Sequence, residues 1–150
     1  MKVEVAATLP TAPASLWHVL ATSRQLTQWL AREAQFEARV GKPYRLVLSG
    51  TKPEEIVTGR VMAWVPEVRL SLSVSTSSYS AETVVTLFLA SLGEGRTKLT
   101  IVHDGFKRFP TKERPAAMAK AEAFWQQTID RLAAHLGVTV TEGHVAAVLA

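Results

Sequence analysis

The 150-residue chain has no cysteine, which excludes disulfides, thiolate metal sites and cysteine nucleophiles. No stretch approaches the ~20 apolar residues that a spanning helix needs, and the opening MKVEVAATLP has no apolar run of signal-peptide length. The expectation is therefore a cytoplasmic protein with no membrane span. Internal repeats and low-complexity segments are absent. So are a P-loop and a dinucleotide fingerprint, and His18, His103, His135 and His144 stand in unrelated segments without zinc-ligand spacing. Neither a metal nor a cofactor is expected, and no pair of carboxylates has convergent spacing for acid–base work.

Charge is also thin. Seventeen Lys and Arg against thirteen Asp and Glu leave a net +4, scattered except in FKRFPTKERP, residues 106–115. There Lys107, Arg108, Lys112 and Arg114, with Phe106 and Phe109, would suit phosphate or nucleic acid if they formed a contact loop. A solvated connection explains the same residues more simply, so nucleic acid is not expected as a partner.

What is present is a globular composition, with 47% hydrophobic and 20% charged residues, and a length that fits one domain. Residues 2–8 alternate as a strand that Pro10 ends. Thr11 and Pro13 open a helix with Leu16, Trp17 and Leu20 on one face, and Ser23 opens a second with Leu26, Trp29 and Leu30. Period-two segments follow at 34–40, 43–50, 54–65, 67–75, 82–92 and 96–104, separated by Gly, Pro and Ser turns as in an antiparallel meander. From Arg114 to Leu136 apolar residues recur at spacings of three and four, and Gly137 stops the helix. At roughly 30 Å it is long enough to cross such a sheet.

The strand LTIVHDGF places His103 on the face of Leu99 and Ile101, aimed at the interior, while Asp104 points the other way. His103 could hydrogen-bond a ligand or act as a base; the plain alternative is a neutral histidine satisfied within the fold. Trp125, Trp64, Trp29, Phe36 and Tyr44 would suit a flat apolar ligand, with Met118 and Thr128 beside Trp125, or would simply be core.

The order strand, two short helices, meander and long helix is that of the α+β helix-grip (START/Bet v-like) fold. The segments TLPTAPASLWHVLATSRQLTQWL, ARVGKPYRL, GRVMAWVPEVRLSLSV, TKLTIVHDGF and AFWQQTIDRLAAHL resemble the START-like (SRPBCC) superfamily. Within it they are most similar to the branch named for activators of the heat shock protein 90 ATPase. The resemblance implies a curved antiparallel sheet of six to seven strands gripping the last helix in a domain of residues 1–137, with 138–150 as an extension. It also implies a cavity between sheet and helix. Leaving ~300 Å³ empty would cost about 7 kcal/mol, so such a space is small, wet or occupied. Phe124, where relatives often carry glycine, would narrow it. The expected function is non-catalytic binding of a small apolar or amphipathic molecule. The alternatives are a chaperone-associated protein, with a stress-response role, or a cyclase- or hydratase-like enzyme using His103. A second copy of the chain is a further expected partner.

Overall fold

The computed structural model describes residues 1–51, 53–140 and 142–148. Strand β1 (Lys2–Leu9) leads into helices α1 (Pro13–Ala21) and α2 (Ser23–Trp29). The meander β2 (Ala31–Gln35), β3 (Pro43–Leu48), β4 (Ile56–Val65), β5 (Arg69–Thr76), β6 (Thr83–Gly93) and β7 (Arg96–Asp104) follows. Two 3₁₀ turns connect β7 to α3 (Arg114–Leu136), and β8 (Glu142–Val148) comes last. The strands form one antiparallel sheet in the order β2-β3-β4-β5-β6-β7-β1-β8. The eighth strand, beyond the six or seven expected, comes from the C-terminal segment, which returns to pair with β1; residues 141, 149 and 150 of the expected extension lie outside the described residues.

Alternation sets the inner face. In β7 Thr97, Leu99, Ile101 and His103 are buried, and their intervening neighbours are exposed or half-buried. The buried stripe of α3, Met118, Ala121, Thr128, Ile129, Leu132 and Ala133, lies against that face. Gly137, at φ 68°, ends the helix, with its N–H and that of Val138 returning to the Ala134 and Ala133 carbonyls in a Schellman motif.

The structure departs from several of the expected features. The segment 34–40 is not a strand; β2 stops at Gln35 because the Ser23 hydroxyl takes both backbone groups of Phe36, at 2.8 and 2.9 Å. Ser23 is thereby not a helix cap. Ala12 and Thr22 hold the cap positions of α1 and α2, neither with a side-chain cap bond, and the Thr11 carbonyl instead accepts from Thr97 Oγ1. Val68, inside the expected strand 67–75, is half exposed in the turn before β5.

Between Thr58↔Ser75 and Val61↔Leu72 the β4–β5 ladder is held by side chains. Arg60 N–H donates to Ser73 Oγ (2.9 Å), and the Tyr44 hydroxyl reaches across from β3 to the Ser73 carbonyl (2.6 Å). Gly59 lies beneath: a Cβ there would sit 1.9 Å from the Ser73 oxygen and 2.9 Å from Tyr44 Cε1. Only a residue without a side chain fits.

A hollow between the sheet and the long helix

Side chains from α2, β3, β4, β5, β6, β7 and α3 converge on a cavity of about 380 Å³. Its floor is aliphatic, with Leu46, Leu48, Leu72, Val74 and Leu87 among the contributors, because these strands alternate apolar-in. Trp29, Phe36 and Tyr44 stand at one end; Phe36 meets Tyr44 edge-on at 6.0 Å. His103, Tyr79, Phe124 and Trp125 stand at the other. Exposed Lys120, Ala123 and Gln127 on α3 form part of the lining, so the space communicates with solvent. That access removes the full dry-void penalty, yet water inside finds few polar partners.

His103 is 2% exposed, and both of its ring nitrogens are engaged. The Trp125 indole N–H donates to Nδ1 (3.0 Å), which assigns the proton to Nε2 and makes it the donor to Thr83 Oγ1 (2.7 Å). Phe106 packs against the imidazole at 4.8 Å, and Tyr79 and Phe109 close the cluster. Burial lowers the His103 pKa to about 4, against a smaller opposing effect of Asp104, so the ring is neutral at pH 7. This is a joint between the sheet and α3. Both ring nitrogens of His103 are bonded within the fold in this geometry.

Of the other expected site residues, Trp125, Trp29, Phe36, Tyr44 and Thr128 line the hollow, the last with its hydroxyl donated to the Phe124 carbonyl (2.7 Å). Trp64 and Met118 do not. The register shift between Val61 and Ala63 sends Trp64 against Trp17 of α1, with ring centroids 4.7 Å apart. Met118, roughly 10 Å before Trp125 along the helix, is absorbed in packed core. The basic 106–115 segment is likewise not a stacking surface. Phe106 and Phe109 are buried at 0% and 4%, while Arg108 and Arg114 bind backbone carbonyls of Glu82, Lys107 and Phe109.

Among the described residues no three His, Asp or Glu gather as a possible metal-ligand set, and no helix is long and apolar enough to cross a membrane. The profile of the family described as Activator of Hsp90 ATPase homolog 1-like protein matches residues 10–137. The chain belongs to this family. No curated protein matches its sequence. Among solved structures, a Mesorhizobium loti protein is 22% identical with a TM-score of 0.77, covering 91% of this chain and 97% of that one. A Rhodobacter sphaeroides protein is 28% identical with a TM-score of 0.70, covering 90% and 88%. An HSP90 activator from Plasmodium falciparum is 19% identical with a TM-score of 0.76, covering 94% and 99%.

In this member of the Activator of Hsp90 ATPase homolog 1-like family, the rim of the hollow carries two polar residues, Lys120 and Gln127, that the sequence pattern did not single out. With Ala123, Phe124 and Thr128 they follow helical spacing and line the space together. Tyr79, a lone aromatic in the polar run STSSYS, was the other available signal.

Proposed function

We propose that the chain is a non-catalytic binding protein for a small apolar or amphipathic molecule, seated between the sheet and α3. The 1–137 unit would supply the site, with 138–150 as its extension. The observation that carries this reading is the open hollow of about 380 Å³ with an overwhelmingly apolar lining. Its volume falls in the range of small-molecule sites, and an apolar guest would displace water that has few partners there. The engaged nitrogens of His103 favour binding over a cyclase- or hydratase-like reaction.

Titration with N-phenyl-1-naphthylamine, whose emission rises in apolar surroundings, tests the proposal. Saturable binding at one site is expected, and Leu72→Trp, which places an indole into the floor, is expected to abolish it while the protein stays folded. Absence of binding by the folded wild-type protein, or undiminished binding by the variant, would overturn the reading.

A second reading, chaperone association, is favoured by the family match over residues 10–137 and by the fold shared with the Plasmodium falciparum HSP90 activator. Capture by the chaperone together with stimulation of its ATPase supports that reading; no stimulation at saturating protein removes it.

A further inference from the structure

The polar groups of the hollow gather at one place on its rim. Thr51 and Glu55 precede β4, joined by a 2.9 Å bond from Glu55 N–H to Thr51 Oγ1. Thr76 ends β5, Ser78 and Tyr79 come from the β5–β6 connection, and Lys120 from α3. Ser78 links the three segments: its hydroxyl donates to the Glu55 carboxylate, and its oxygen accepts from Lys120 Nζ at 3.2 Å.

An ammonium has three N–H donors, and Lys120 uses one on Ser78. Among the described residues it pairs with no carboxylate. Tyr79 lines the same end, mostly buried, and its hydroxyl bonds to no described residue. Burial, aided by the Glu55 charge, pushes its pKa up to about 12, so the O–H stays a donor at neutral pH. On the acceptor side stands the Glu55 carboxylate, already bonded to Ser78. Lys120 thus keeps two N–H groups, and Tyr79 its O–H, for a group placed at the rim. The Glu55–Ser78 bond also gives Lys120 a fixed point that keeps its ammonium at the rim instead of in bulk water.

We infer that the hollow takes a small amphipathic anion, its apolar body on the aliphatic floor and its acidic head group between Lys120 Nζ and the Tyr79 hydroxyl. This rests on the small-molecule reading above and adds the ligand's charge and orientation to it. A charge-assisted bond at this half-sheltered rim is stronger than a neutral one, and the single cation suits a monoanion. Glu55 opposes a second negative charge.

Two probes with the same aromatic body separate the claims: 8-anilino-1-naphthalenesulfonate, which is anionic, and N-phenyl-1-naphthylamine, which is neutral. The wild-type protein is expected to prefer the anion by on the order of tenfold, and Lys120→Met to collapse that preference towards one. Tyr79→Phe should reduce it by about threefold, since one of two donors is lost. Lys120 is exposed and Phe retains the Tyr79 ring contacts, so both variants should fold. If both probes bind with equal affinity, or if Lys120→Met leaves the preference intact, the head-group site is overturned and the small-molecule reading stands. If neither probe binds, both fall.

Discussion

The two ends of the long helix meet the sheet in opposite ways. Around His103 each ring nitrogen has a partner, the rings of Phe106, Tyr79 and Trp125 close on the imidazole, and Phe109 packs behind Phe106 and Tyr79. From the inner side of that joint towards Trp29, Phe36 and Tyr44 the same sheet and helix stand apart and leave the hollow. An interior histidine attracts functional interpretation, yet here it belongs to the filled end and serves as a joint. The difference teaches that capacity for binding resides where side chains lack partners, not where the most reactive residue type is buried.

Truncating an aromatic ring at each end should expose this contrast. Phe106→Ala, at the filled end and fully buried, is expected to lower stability by about 3 to 5 kcal/mol in urea denaturation, because a close-packed site leaves a cavity. A loss under ~1 kcal/mol would show that this end is not closed.

The next largest effect is in pH dependence. Because the His103 pKa is lowered from 6.5 to about 4, the unfolded chain takes up a proton that the folded one refuses. Stability from this group is complete above pH ~6.5 and falls as pH drops towards ~4, by on the order of 3 kcal/mol in all. Equilibrium unfolding across that window should show the decline in the wild-type protein and a shallower one in His103→Gln.

Phe36→Ala, at the open end and half-buried, should lower stability by only about 1 to 2 kcal/mol while weakening N-phenyl-1-naphthylamine binding. A stability loss equal to that of Phe106→Ala would erase the distinction between the ends. The smallest effect, and a baseline remote from both, is expected at the β4–β5 turn. Glu67 there holds φ 64° after Pro66, a position that favours glycine, and Glu67→Gly should raise stability by about 0.5 kcal/mol in the same assay.

Much of the architecture was legible because periodicity reports it directly. β7 alternates without interruption, and α3 runs over the expected Arg114–Leu136 with Gly137 as its stop. The inward direction of His103 followed from the same alternation. Its partners did not, since Thr83 and Trp125 lie 20 and 22 residues away and only the assembled sheet and helix bring them to one ring. Trp64 does face inward, opposite Leu70 after a register shift, but it packs on Trp17 of α1 and not on the hollow, a tertiary contact that the pattern of GRVMAWV does not announce. The end of β2 was missed because Ser23, distant in sequence, takes the backbone groups of Phe36.

Ser78 ties together a residue ahead of β4, a turn between strands and a face of α3, through hydrogen bonds separate from the two that hold His103. On the binding reading proposed above, the rim contacts and the scaffold overlap at Tyr79 alone and are otherwise separable. If the hollow binds as proposed, exchanges at Glu55, Ser78 or Lys120 would retune which guest is accepted with little penalty to folding, giving descendants of one stable ancestor a short route to different cargoes.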